Sequence, residues 1–172
     1  NEVVYAKNYR MRLNVSTMTD SSYSEPFILK DLEDLGFSVG NGSLSADKKR
    51  FYFSKCTDDG YKFTCKIYVA RIENKKFVDV DVLGDMVNEE GSNNTQPRIN
   101  NFKDGEILFF ASDREGGQGK MDIWYTLIKG GNQYSKAYNA GKKINTIGNE
   151  ITPYFDPKTN ELYFSSDFHF GY

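Results

Sequence analysis

Apolar residues in this chain come in short runs of no more than four or five, each bounded by turns rich in Gly, Asn, Asp and Lys. Three of these runs superimpose without a gap: RFYFSKC (50–56), ILFFASD (107–113) and ELYFSSD (161–167). Phe53, Phe110 and Phe164 share one column, and Ser54, Ala111 and Ser165 the next. The steps are 57 and 54 residues, and a weaker copy, EVVYAKN (2–8), puts Tyr5 in the same column 48 residues earlier. Side chains alternate across a strand, so Phe51, Phe53, Leu108, Phe110, Leu162 and Phe164 are predicted to face one layer and Tyr52, Phe109 and Tyr163 the other. Both sets are large and apolar, as expected of strands covered on both faces.

The flanks repeat with the same period. GSLSADKK, QPRINNFKDG and TPYFDPKTN each offer a short strand and a polar turn before the aromatic run. RLNVSTM, CKIYVARI and MDIWYTLI supply the partner across the next hairpin, and EPFILKDL, KKFVDVDVLG and QYSKAYNAGKKIN a fourth strand. Four antiparallel strands in about 50 residues is the signature of a propeller blade. The predicted fold is therefore all-β, a single partial β-propeller domain over 1–172. Its blade-like units cover about 1–40, 41–95, 96–150 and an incomplete 151–172. Three blades and a partial one are too few for a ring of about four to eight. The expectation is half of a six- to eight-bladed ring, completed by missing sequence or by a second copy.

Composition supports strands: aromatics make up 15% of the chain, with 13 Phe and 12 Tyr against one Trp. The formal net charge is -2, with 22 basic residues scattered among 24 acidic ones, which matches neither a nucleic-acid footprint nor a polybasic membrane patch. No segment is apolar enough to span a bilayer as a helix, and none reads as a signal peptide. The opening NEVVYAK reads as a strand, so a mature or excised piece is expected.

The stretch SDREGGQGKMDIWY (112–125) tests for nucleotide chemistry. A P-loop needs Gly where Arg114 stands and Ser or Thr where Met121 stands, and a dinucleotide fingerprint from Gly117 would meet Asp122 at its last position. Both motifs lead into a helix, whereas DIWYTLI is β-branched and aromatic. The reading is a hairpin loop, with glycines supplying positive φ and Asp113 and Asp122 bonding turn N–H groups. A sialidase Asp-box fails because its Asp would be Arg114.

This stretch, followed by AGKKINTIGNEITPYFDPKTNELYFSSDFHFGY, resembles the Pro-Asp, WD-like propeller repeats of the TolB type. The resemblance covers about 40–172 and is strongest over 96–172. It is closest to versions carried by large OmpA-family envelope proteins of Bacteroidetes, including the PorE-like component of the type IX secretion system. Lys55 and Cys56 depart from it, standing where later units have Ser-Asp. The resemblance implies a non-enzymatic scaffold that is periplasmic and outer-membrane associated. Its partners would be other envelope or secretion-system proteins, with peptidoglycan reached through a domain absent from this chain. No catalytic residues and no cofactor carry over. Arg114, Glu115, Gln118 and Lys120, in the predicted rim loop, are the candidate partner contacts.

Cys56 and Cys65 fall at the two strand ends that carry Asp113 and Met121 in the next unit, across the mouth of one hairpin. A disulfide is predicted between them, and with it an oxidising compartment. A zinc site lacks donors, with His169 the single histidine. His169 itself falls in the hairpin loop matching SDREGGQ and is expected to be solvated. Neither G-x-S-x-G nor H-E-x-x-H occurs. Asp79, Asp81 and Asp85 have no loop to wrap a calcium ion and read as a charged strand edge. Sequons at Asn14, Asn41 and Asn93 matter only in a eukaryotic secretory host. The alternative to a scaffold is a polysaccharide-binding or glycoside-processing propeller, which would need an exposed aromatic beside two inward-facing carboxylates.

Overall fold

The computed structural model describes residues 10–32, 37–58 and 60–169; the weak first copy around Tyr5 lies outside them. The described residues are all-β, in antiparallel groups. A small ribbon pairs β1 (Asn14–Val15) with β2 (Phe27–Ile28) and leads into a single 3-10 turn, Lys30–Leu32. Sheet I contains β3 (Ser38–Leu44), β4 (Arg50–Asp58), β5 (Phe63–Glu73) and β6 (Lys76–Val82), in that order. Sheet II follows with β7 (Asn94–Phe102), β8 (Gly105–Ser112) and β9 (Asp122–Lys129), its fourth strand split into β10 (Gln133–Tyr134) and β11 (Tyr138–Asn139), both on β9. Sheet III has two strands, β12 (Glu150–Asp156) and β13 (Glu161–Ser166). These sheets form an open stack, and no closed ring or barrel is present among the described residues.

The stack follows from the two-faced second strands. Tyr52 and Ile67 of sheet I meet Leu108, Phe110 and Trp124 of sheet II in one core. The opposite face of sheet II, with Phe109 and Ile123, meets Phe155, Leu162 and Phe164 of sheet III in a second. The outer face of sheet I, with Phe53, Val39 and Phe51, is covered by Leu13, Leu29 and Leu32 from the ribbon segment. Tyr52, Phe53, Leu108 and Phe110 lose all solvent contact. At about 25 cal/mol per Å² of apolar area, this burial is the main stabilising term. The expectation that both faces are covered fails at Tyr163, which is 55% exposed, because no further sheet among the described residues lies over the outer face of sheet III.

The seam between sheets I and II is closed by a polar cluster at its edge. Arg50 donates to both carboxylate oxygens of Glu106, at 2.9 and 2.7 Å, to the Tyr52 hydroxyl at 3.0 Å and to the Gly131 carbonyl at 3.0 Å. The Tyr52 and Tyr134 hydroxyls meet at 3.1 Å, and burial pushes the pKa of both upward, so they stay neutral donors and acceptors. The fork geometry of Arg satisfies several acceptors at once, which lets charge lie at a mostly apolar seam without an unpaired group.

Each first strand carries a bulge at the same place. The register shifts between Gly40 and Ser43, between Thr95 and Arg98, and between Ile151 and Tyr154. The inserted residue is left-handed each time, with φ of 51° at Asn41, 57° at Gln96 and 55° at Thr152. The residue after it differs, Gly42 in sheet I against Pro97 and Pro153 in the others. A Cβ at Gly42 would stand 1.9 Å from Cζ of Phe51, whose counterparts are the smaller Leu108 and Leu162. Bulk has thus been exchanged between the bulge and the facing strand.

This exchange gives a prediction. Gly42→Ala should lower unfolding free energy by about 1–3 kcal/mol through overpacking, and adding Phe51→Leu should recover most of that loss. Chemical denaturation of both variants checks it; a double variant no more stable than the single one would refute the pairing.

Candidate binding surface

Two surfaces could present chemistry to a partner: the loop end of the sheets, and the edge formed by the bulged first strands. At the loop end, the SDREGGQGKMDIWY stretch is a hairpin loop between β8 and β9. Gly116 takes φ of 81°, and a Cβ on Gly117 would stand 2.7 Å from Asp122 Oδ2. A Cβ on Gly119 would overlap the backbone of Thr146 and Ile147. Asp122 holds the loop as expected, accepting from the Gln118 and Gly119 N–H groups at 2.6 and 3.2 Å. Lys120 N–H donates to the Gly148 carbonyl at 2.9 Å, so the glycine side of the loop is docked on the connector to sheet III.

Asp113 does something else. Its two carboxylate oxygens accept from the backbone and side chain of Asn93, and Asp167 accepts in the same way from Asn149 in the next unit. The backbone hydrogen bonds are the largest reason the Asp167 carboxyl lies below its usual range. Sheet I has Ser38 and Cys56 at the corresponding positions, and there Cys56 is bonded to Cys65 directly opposite on β5. The disulfide, as predicted, closes in sheet I the strand end that an Asn–Asp clamp closes in the other two. Asn93 also joins the sheets, since its Oδ1 accepts from Cys65 N–H at 2.9 Å.

Two further asparagines play a role that the sequence reading missed. Asn88 accepts from Ile67 N–H and donates to the Ile67 and Leu83 carbonyls, and Asn145 makes the matching bonds to Ile123. Each is buried and staples the connector to the third strand of the preceding sheet. The signal was present in the pair LGDMVN (83–88) and AGKKIN (140–145), 57 residues apart, but it lay beyond the aromatic runs used to set the repeat.

Of the four candidate contacts, Glu115, Gln118 and Lys120 are exposed on the β8–β9 loop. Arg114 is not; it is 6% exposed. Its guanidinium lies over the Phe110 and Trp124 rings at 4.9 and 5.1 Å and donates to the Val87 carbonyl, Asn94 and Ser112. The aromatic pair below it and the connector above it turn a predicted surface arginine into a structural one, and burial lowers its pKa. The hairpin mouth closed by the disulfide adds Tyr61, 100% exposed, and Phe63, 50% exposed, at the same end of the stack.

His169 is exposed, as expected, with its Nε2 2.8 Å from the Ile144 carbonyl. Asp79 pairs with Arg71 at the outer edge of sheet I, and no cluster of three metal-ligating side chains occurs among the described residues. No helix among them is long and apolar enough to cross a membrane.

The bulged edge holds two adjoining grooves. One, of about 270 Å³, is lined by the three bulges: Asn41 and Gly42, Gln96 to Arg98, and Thr152 to Tyr154. The other, of about 490 Å³, lies beside it along the seam between β7 and β12 and includes Gln96, Met121, Ile151 and Asp167. Between them the lining offers a single carboxylate, that of Asp167, already engaged by Asn149.

Glu150, which begins β12, is fully buried beside these grooves. Its carboxylate accepts from the Thr146 backbone and hydroxyl at 2.7 and 2.6 Å and from the Ser166 hydroxyl at 2.7 Å. Burial alone would raise its pKa, but these donors outweigh burial and hold it below the usual range.

Two predictions follow from these clamps. The folded pKa of Glu150 lies below the unfolded one, so its contribution is present above about pH 4.3 and is lost as pH falls through the folded value. Melting temperature against pH should therefore show a large gap between wild type and Glu150→Gln at neutral pH that narrows in acid; a constant gap would refute it. Removing the disulfide with C56S/C65S should lower unfolding free energy by about 2–3 kcal/mol through released loop entropy, and an unchanged denaturation midpoint would count against that.

No protein-family model matches the chain, and a search of curated proteins finds no match.

Proposed function

We propose that this chain is a segment of a β-propeller that serves as a non-enzymatic scaffold for protein partners in the bacterial envelope. The observation that carries the reading is a repeated four-strand unit whose sheets stack face to face, with rigidly clamped loops gathered at one end. Function on such a framework lives in the loops, because the core positions are committed to packing. The bare outer face of sheet III, with Tyr154 and Tyr163 47% and 55% exposed, is where a following blade would pack. That blade would come from additional sequence or from a second copy.

The Cys56–Cys65 bond supports a periplasmic location, since such bonds persist in oxidising compartments. The TolB-type resemblance supports an outer-membrane association and suggests the type IX secretion machinery as one setting. The proposed contact surface is Glu115, Gln118 and Lys120 together with Tyr61 and Phe63. Exposed aromatics anchored on a covalently closed hairpin lose little conformational freedom on binding, which favours affinity. A glycoside-processing reading is weaker, because the two grooves lack the pair of free carboxylates it needs.

A photo-crosslinking residue tests the scaffold reading. Placed at Gln118 or Lys120, it should give a discrete protein adduct in envelope preparations of a Bacteroidetes host. Placed at Lys75, in the turn at the opposite end of sheet I, it should not. Adducts of equal yield at both ends, or none at the rim, would overturn the assignment.

A further inference from the structure

We propose that the seam between β7 and β12 captures the C-terminal carboxylate of a partner polypeptide, with Arg98 as its anchor. The proposal rests on the scaffold reading and supplies the chemistry of one partner contact. Arg98, Ser43 and Tyr154 occupy the same place in three successive first strands. Arg98 lies over the Tyr154 ring at 4.2 Å, and its Nε is buried without an acceptor. Among the described residues it has no ion-pair partner either. The contrast with Arg50 and Arg114, whose guanidiniums are tied to protein acceptors, marks Arg98 as the cation left for a ligand. A guanidinium pre-set on an aromatic face and lacking acceptors suits a planar, two-oxygen anion.

The surroundings choose the carrier of that anion. The groove holding Arg98 is lined by no acid, and it is short, about 270 Å³, below the roughly 300–1,000 Å³ of drug-sized sites. It therefore fits the end of a chain. Pro97 and Pro153 remove two backbone donors from its wall, so a strand cannot continue past it by main-chain pairing. Gln96 forms the wall shared with the wider groove of about 490 Å³. Its Oε1 is fixed by the Thr152 N–H at 2.7 Å, leaving its amide N–H groups to meet a peptide carbonyl. Met121 and Ile151 give the wider groove an apolar wall. A peptide ending on Arg98 would lay its preceding side chains there.

Fluorescence anisotropy with labelled hexapeptides ending in Leu, Phe, Tyr, Lys, Asp or Ala tests this, each as the free acid and as the C-terminal amide. The expected result is saturable binding of at least one apolar-ended free acid, weakened about tenfold or more by amidation, the scale of a charge-assisted hydrogen bond. Arg98→Gln should remove the difference between acid and amide. Arg98→Lys, which keeps the charge but not the fork, should retain only part of it and covers the case in which the first variant fails to fold. Crosslinking at Gln118 should be untouched by either change, so loss of the scaffold reading and loss of this one are separable. Equal binding of acid and amide, no binding of any peptide, or stronger binding of glucuronate than of the peptides would overturn the proposal.

Discussion

Everything in this molecule depends on second strands that are apolar on both faces. A strand normally presents one face to a core and the other to water, and its sequence alternates accordingly. Here Tyr52 and Phe53 are adjacent in sequence, lie on opposite faces and are both fully buried. A sheet built on such a strand cannot stand alone, so it needs a neighbour on each side. Sheet II has both, with sheet I over Phe110 and sheet III over Phe109. The ribbon segment covers the outer face of sheet I less completely, leaving Phe51 and Tyr68 partly exposed.

Stacking by apolar contact alone would let sheets slide, because such burial is non-directional. The directional part comes from repeated polar clamps. Asn88 and Asn145 bind connectors to third strands, and the Asn93–Asp113 and Asn149–Asp167 pairs close the ends of second strands. Sheet I replaces the last of these with a covalent bond. Buried amides that satisfy both donors and acceptor are costly to misplace, so they select one register among the many that hydrophobic contact would tolerate. The clamps also give the glycine-rich loop its floor, the connector held by Asn145 and Glu150.

The same bulge, repeated in three adjacent strands, makes the edge on which Arg98 stands. Its dual nature is instructive. As a structural device the bulge turns each first strand and accommodates a bulky second-strand residue, most visibly where Gly42 makes room for Phe51. As a surface it lines up amide, hydroxyl and guanidinium groups from three sheets, which no single sheet could assemble. The candidate binding groove is thus a by-product of stacking rather than of any local motif.

By itself the sequence determined the strand pattern, the repeat, the pairing of columns and the hairpin that brings Cys56 to Cys65. Each of these follows from period-2 alternation and short turns, which are local properties. It also made Asp122 legible as a turn anchor, because a carboxylate beside glycines bonds nearby N–H groups. Tertiary structure alone decided that Arg114, just past the end of β8, is buried and that Arg98, at the bulge of β7, is without an acceptor. Their fates depend on what is placed against them: for Arg114 the Phe110–Trp124 pair of its own sheet and the Val87 carbonyl of the connector from sheet I, for Arg98 only the Tyr154 ring of sheet III. Distance along the chain carries no information about the Val87 carbonyl or the Tyr154 ring, because a connector and another sheet contribute them and reach these arginines only when the sheets stack.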